Sequence, residues 1–324
     1  MVQRAARPSG SQTCSGMSEH ILVVRLGAMG DIIHTLPAVV SLRRSFPDSV
    51  ITWAVEQKWA PLLEGLSIID GIQFVNRHSA SAVLELQRNL RSRKVTLAID
   101  FQGLIKSSLV CFLSRADRIV GLHRTSAREQ LASLFYSRTV TPKCTHVVER
   151  QLELAAAAGA TSTGVAFPIP EGAPEGNLPD GPFVLANPQA GWVSKQWPLE
   201  YYSELGRRLE RRRLQLVLNG PAAIRAVHTI PHTSGLSGLI DATRRAHAVV
   251  GVDSGPLHLA AALGKPGVAM FGPTDPARNG PYGGTIRVLR SARAITSYKR
   301  SDVIDPSMRA ITADEVWAAL EPQL

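Results

Sequence analysis

The sequence predicts an α/β protein built as two halves, each a parallel sheet covered by helices on both faces, that meet across a cleft. Three observations carry this expectation. Short, continuously apolar segments alternate with helical stretches in both halves of the chain. One Gly- and Pro-crowded segment, Thr161–Pro182, separates the halves. The length, 324 residues, suits two domains of about 150 residues each.

The elements follow in order. The apolar run Ile21–Leu26 reads as a buried strand, and Asp31–Phe46 as a helix, because Ile32, Ile33, Leu36, Val39 and Val40 recur at helical spacing. Further strands are expected at Val50–Val55, Ile72–Val75, Val95–Asp100 and Arg118–Val120, with helices at Trp59–Leu63, Ser81–Arg91, Gly103–Ser114, Ala127–Tyr136 and His146–Ala158. After the linker the alternation restarts. Strands are expected at Phe183–Asn187, Leu214–Asn219, Ala248–Asp253 and Gly267–Phe271, and helices at Leu199–Arg213, Leu236–Ala246, Pro256–Leu263 and Ala313–Leu320. The expected domains are 18–165 and 183–324, joined by linker 166–182, with residues 1–17 as a disordered extension. That extension has basic residues but no apolar stretch after them, so it does not read as a secretory signal.

Composition narrows the partners. The formal charge of +10 favours an anionic one: nucleotide, nucleic acid or acidic lipid. Aromatics make up only 6% and no basic block is interleaved with them, which weighs against single-stranded nucleic acid, where bases need stacking platforms. Hydrophobic residues make up 44%, and no apolar run approaches the ~18 residues that span a bilayer. The cysteines (Cys14, Cys111, Cys144) are odd in number and widely spaced, which implies neither a disulfide framework nor a zinc site and fits a reducing cytoplasm.

Four turns carry candidate chemistry. In Leu26-Gly27-Ala28-Met29-Gly30-Asp31 a strand turns through two glycines into a helix, and Asp31 stands at the junction either as an N-cap or as a functional carboxylate. In Val252-Asp253-Ser254-Gly255-Pro256-Leu257-His258 a strand ends at Asp253 and Ser254 is a natural N-cap. Pro256 is tolerated in the first turn, and the free N–H groups there suit a diphosphate. His258 lies one turn further on, facing either the cleft or the core. The turn Phe271–Pro276 reads as a neighbouring wall. Lys195, between Trp192 and Trp197, is either a surface lysine or a point charge for a phosphate. The first half adds Asp100-Phe101-Gln102-Gly103, again a strand ending in a carboxylate before a glycine turn. It also holds basic residues available to an anionic acceptor: Lys106, Arg124, Arg128, Arg138, Lys143 and Arg150.

Together these phrases resemble the ADP-heptose:lipopolysaccharide heptosyltransferases. The match is carried by Met29-Gly30-Asp31-Ile32-Ile33-His34-Thr35-Leu36-Pro37, Ile99–Ser107, Ala127–Tyr136, Val148-Glu149-Arg150, Lys195-Gln196-Trp197-Pro198, Asp253–His258 and Phe271–Pro276. The phrases run in order from about residue 20 to 285, and Ala127–Tyr136 resembles the heptosyltransferase I branch. The resemblance implies the GT-B fold of two Rossmann-like domains and inverting transfer of a heptose from ADP-heptose to a Kdo residue of a lipid A-type acceptor. It implies no metal and no cofactor, no nucleic-acid partner, and a peripheral position on an anionic membrane surface at the cytoplasmic face. It makes Asp31 the catalytic base. Lys195, Asp253, Ser254, Gly255 and His258 become donor-binding residues, and Lys106, Arg128 and Arg150 acceptor-binding residues. A sibling transferase with another sugar nucleotide or acceptor, or a nucleotide-binding protein without catalysis, is the alternative. The chain departs from the family where Ala190-Gly191-Trp192 lacks a hydroxyl pair and where only Arg77 and His78 stand in place of a longer basic loop.

Overall fold

The structure, a computed structural model, describes residues 19–76, 79–222, 224–297 and 299–324. The expected extension and the pair Arg77 and His78 lie outside the described residues. Strands β1 (His20–Val24), β2 (Val50–Val55), β3 (Gly71–Phe74), β4 (Leu97–Asp100), β5 (Arg118–Leu122) and β6 (Arg138–Val140) form one sheet. Strands β7 (Phe183–Asn187), β8 (Gln215–Asn219), β9 (Ile230–His232), β10 (Ala248–Val252), β11 (Gly267–Phe271) and β12 (Ile286–Arg290) form the other. Every strand pair is parallel. The spatial orders are β3-β2-β1-β4-β5-β6 and β12-β11-β10-β7-β8-β9. Counted from each half's own first strand the two orders are identical, and each reverses direction once, between β1 and β4 or between β7 and β10. Such a reversal opens a crevice beyond the strand carboxyl ends.

The helices that cover these sheets are α1 (Met29–Ser45), α2 (Ala80–Ser92), α3 (Ile105–Ser114) and α4 (Val147–Ala158) in the first half. The second half has α5 (Leu199–Glu210), α6 (Leu236–Arg245), α7 (Gly255–Ala262), α8 (Pro276–Asn279), α9 (Pro306–Arg309) and α10 (Ala313–Leu320). The central strands are buried end to end, β1 as His20–Val24 and β10 as Ala248–Val252, which is why they read as unbroken apolar runs. The segment between α4 and β7 lies over α6, where Arg244 donates to the carbonyls of Ile169 and Pro170.

Two expectations differ from what is seen. Ala127–Tyr136 is not an α-helix: only Gln130–Phe135 winds, as a 3₁₀ turn. The amide of Glu129 donates to Gly103 O at 3.0 Å instead of to its own segment, so tertiary pairing displaces the helical bond. Strands β6, β9 and β12 lie at sheet edges and have no unbroken apolar run.

The halves interlock where α1 and α7 begin. A Cβ on Gly30 would lie 2.5 Å from the His258 ring, and one on Gly255 would lie 2.8 Å from Met29. Each helix start thus accepts a side chain of the other half. The room at these glycines is filled by protein, and one hydrophobic cluster continues from Ile32 and Leu36 of α1 into Leu257 and Ala260 of α7.

Candidate active site

Between the halves lies a cleft of about 620 Å³, within the range of small-molecule sites. The segments leaving β1, β4, β7 and β10, the strands that flank the two switch points, all line it. Register brings them level: Val24 pairs with Asp100 on β1–β4, and Asn187 with Gly251 on β7–β10.

Asp31 enters the cleft from the first half. Ala28, not Asp31, occupies the N-cap of α1; Asp31 is the third helical residue, and its Oδ2 accepts from Ala28 N at 3.4 Å. Its other oxygen, Oδ1, meets the Nη2 of Arg25 at 2.7 Å. Arg25 directly follows β1 and is buried, and its Nη1 also donates to Phe101 O just after β4. Gln151 of α4 donates to that same carbonyl at 3.2 Å. The guanidinium therefore ties the turns after β1 and β4 together and fixes one face of the carboxylate. The Asp31 side chain keeps 36% exposure, directed to the cleft it lines.

The second half supplies the opposite wall. Lys195 ends a single 3₁₀ turn, Val193–Lys195. That turn is held by Ser194 N on Ser301 O at 3.3 Å and Asp305 N on Ser194 O at 3.2 Å. Its Nζ donates to Asp253 Oδ2 at 2.6 Å and lies 4.5 Å from the centre of the Trp192 ring. His258 Nε2 lies 3.6 Å from the other Asp253 oxygen. Burial alone would raise the Asp253 pKa, but His258 and Lys195 outweigh it and hold the carboxyl well below its ordinary 3.8. Ser254 caps α7 by backbone conformation, yet its Oγ is buried without a hydrogen-bond partner, as is Thr274 Oγ1 beside it in the cleft wall. Buried hydroxyls are normally satisfied. Ser254 Oγ stands at the start of a helix, whose N–H groups and hydroxyl an anion in the cleft would satisfy.

Of the basic residues expected on the acceptor side, Arg128 and Arg150 line the cleft. Burial, then the neighbouring Arg278, lowers the Arg150 pKa. Two guanidinium groups side by side make a site for an anionic group. Lys106 does not line the cleft and instead lies 3.7 Å from Glu56 Oε1. Asp100 is wholly buried and structural. It accepts from Gln102 N at 2.8 Å, Gly103 N at 3.2 Å, Ser107 Oγ at 2.8 Å and Tyr136 OH at 2.6 Å, which holds the β4 turn. Gly103 has φ +68, and its α-carbon side faces Ala127 and Arg128, so the turn seats the loop that carries Arg128.

Several cleft residues had no role in the sequence reading: Arg25, His34, Trp192 and Arg278, whereas Thr274 belongs to the turn expected as a neighbouring wall. Arg25 had a visible signal, a single charge within the otherwise apolar run Ile21–Leu26. His34 lies 4.2 Å from His258 and 5.9 Å from His146, centre to centre. Burial, then His258, His146 and Arg25, hold it well below the usual 6.5 and therefore neutral.

The profile of a protein family described as glycosyltransferase family 9 (heptosyltransferase) matches residues 83–306. Lipopolysaccharide heptosyltransferase 1 of Pseudomonas aeruginosa is 32% identical over 295 residues, covering 81% of each chain. The Escherichia coli K12 protein of the same name is 31% identical, covering 84% of this chain and 94% of its own. Among solved structures, E. coli heptosyltransferase WaaC with ADP superposes with a TM-score of 0.76 at 26% identity, over 94% of this chain and all of that one. The same enzyme with ADP-2-deoxy-2-fluoro heptose gives 0.75.

Proposed function

The chain belongs to glycosyltransferase family 9, and from that premise we propose that it moves L-glycero-D-manno-heptose from ADP-heptose to a Kdo residue of the lipopolysaccharide inner core, with inversion. The observation that carries the reading is the pairing, across one cleft, of a half-exposed carboxylate on one wall with a lysine and an anion-ready helix start on the other. The binding of ADP and an ADP-heptose analogue by E. coli WaaC supports the nucleotide and the sugar.

The chemistry follows from the geometry. A sugar hydroxyl becomes a competent nucleophile when a base removes its proton in the transition state. Asp31 takes that proton as the acceptor oxygen bonds to the anomeric carbon, and the C–O bond to the diphosphate breaks on the opposite face. ADP leaves with added negative charge. Lys195 and the N–H groups of α7 at Ser254 and Gly255 meet that charge where it develops, and in this reading no metal ion is needed. Asp253 holds Lys195 in place and His258 closes the other side of that carboxylate. Arg128 and Arg150 receive the anionic acceptor sugar. Lys106, expected on the acceptor side, lies outside the cleft lining beside Glu56 and has no assigned step in this reading.

Among the described residues no helix is long and apolar enough to cross a membrane. A lipid-anchored acceptor brings the enzyme to the cytoplasmic face of the membrane as a peripheral protein, where its charge of +10 draws it to anionic lipid. The test is turnover of ADP-heptose and a Kdo-lipid A acceptor by the purified protein, with the product mass measured. An added heptose is the expected result; no transfer from ADP-heptose, with transfer from another sugar nucleotide, overturns it.

A further inference from the structure

Helix α3 is apolar on two faces. Its buried face carries Val110 and Cys111 together with Ser107, Ser108 and Ser114, whose hydroxyls are each bonded within the protein, while Ile105, Leu109 and Phe112 are exposed at positions i, i+4 and i+7. Packed beside it, the 3₁₀ turn Gln130–Phe135 exposes Leu131 to 61% and Leu134 to 78%, and its Phe135 ring lies 5.6 Å from that of Phe112. Neighbouring exposed apolar groups of this kind mark an interaction surface. Basic residues frame it in the chain: Arg128 enters the turn, Arg138 follows it, and Arg115 closes α3, all exposed. An apolar face bordered by cations is the pattern of a surface that lies in a lipid interface.

The patch adjoins the acceptor wall of the cleft. Arg128 lines the cleft, and the next residue, Glu129, accepts from Ile105 N at 2.7 Å, which joins the two elements of the patch at its cleft edge. We propose that the exposed face of α3 and the 3₁₀ turn Gln130–Phe135 is where this protein seats on an anionic lipid bilayer. Seated this way, its cleft receives the headgroup sugar of an acceptor whose acyl chains remain in the membrane. The inference rests on the reading that the acceptor is lipid-anchored. Charge complementarity commits it to anionic lipid: Arg115, Arg128 and Arg138 outnumber the carboxylates Asp117 and Glu129 at the borders of the patch, and two copies of this chain would set that excess positive charge against itself.

Co-flotation with phosphatidylcholine vesicles containing phosphatidylglycerol tests the proposal with the full chain. The double variant Leu131→Glu/Leu134→Glu alters side chains that face solvent. It is expected to bind such vesicles about tenfold or more weakly than the unaltered protein, from lost apolar contact and added repulsion. Val227→Glu/Ile295→Glu adds the same charge at exposed sites of the other half and is expected to bind as the unaltered protein does. With a deacylated, water-soluble Kdo acceptor, Leu131→Glu/Leu134→Glu should turn over at the unaltered rate, and with vesicle-borne acceptor it should slow. Equal flotation of the unaltered protein and Leu131→Glu/Leu134→Glu overturns the proposal. So does an unaltered protein that is a dimer, split by these substitutions, with flotation unchanged. If flotation differs as expected while neither acceptor is turned over, the bilayer surface stands and the transferase reading fails.

Discussion

Replacing Asp31 with asparagine isolates its proposed proton-accepting role, because the amide keeps an oxygen for the Arg25 bond at 2.7 Å and nearly the same volume. The folded state should change little. Asp31 is 36% exposed and Arg25 keeps its bond to the Phe101 carbonyl, so loss of the charged pair costs about 1 kcal/mol or less of stability. The reaction should change a great deal. General-base catalysis contributes about 10²–10⁴-fold, which corresponds to about 3–5 kcal/mol on the barrier. Donor binding should be unaffected, since Lys195, Asp253 and the start of α7 sit on the other wall. The assay is steady-state transfer to a Kdo-lipid A acceptor beside calorimetric titration with ADP and a thermal melt. A folded Asp31→Asn protein that binds ADP normally and turns over within about threefold of the original rate would remove Asp31 from the role of base.

Other outcomes follow from the same geometry. Lys195→Ala should weaken ADP binding about 10–100-fold, the range expected for a lost hydrogen bond to a charged group; unchanged affinity by calorimetry removes Lys195 from the phosphates. Asp253 has a folded pKa depressed below 3.8, so its stabilising contribution is whole above that pH and drains away as the pH falls below it. Melting temperatures of Asp253→Asn should accordingly be flatter than those of the unaltered protein in that acid range. His34, also depressed, contributes fully above 6.5 and loses that contribution as the pH falls below it, a less acidic window than that of Asp253. His34→Gln should therefore remove the part of the pH slope that begins there, and an unchanged slope in thermal melts counts against its burial as a neutral group. Gly30→Ala should lower the melting temperature, with a cost of about 1–3 kcal/mol, because its methyl meets the His258 ring at 2.5 Å.

The buried strands and the four turns were legible in the sequence for a local reason. An inner strand of a parallel sheet must be apolar throughout, and a strand-to-helix turn needs its glycine and carboxylate within a few residues. Three of the four edge strands were not legible: Arg138-Thr139-Val140, Ile230-Pro231-His232 and the Arg-bearing Ile286–Arg290 each meet solvent on one side, which erases the apolar run. Spacing identified α3 as a helix but could not say which face turns inward, because Asp100 draws Ser107 into the core against its ordinary preference. The site was legible as separate phrases, and what joins them was not. Arg25 reaches Phe101 across 76 residues, and Lys195 reaches Asp253 across 58.

The glycines change meaning most. Read alone, Gly30 and Gly255 make room for a ligand. In the fold each makes room for a side chain of the opposite half, His258 in one case and Met29 in the other. That exchange seats the start of α1 against the start of α7, so the direction in which Asp31 points and the position of the anion-ready N–H groups are set by one interlock. On the proposed reading, a base and a leaving-group site that belong to different sheets can act on one bond only if their separation is held, since small misplacements are costly in rate. The residues that hold it are the smallest in either motif, and they lie beside the groups they position.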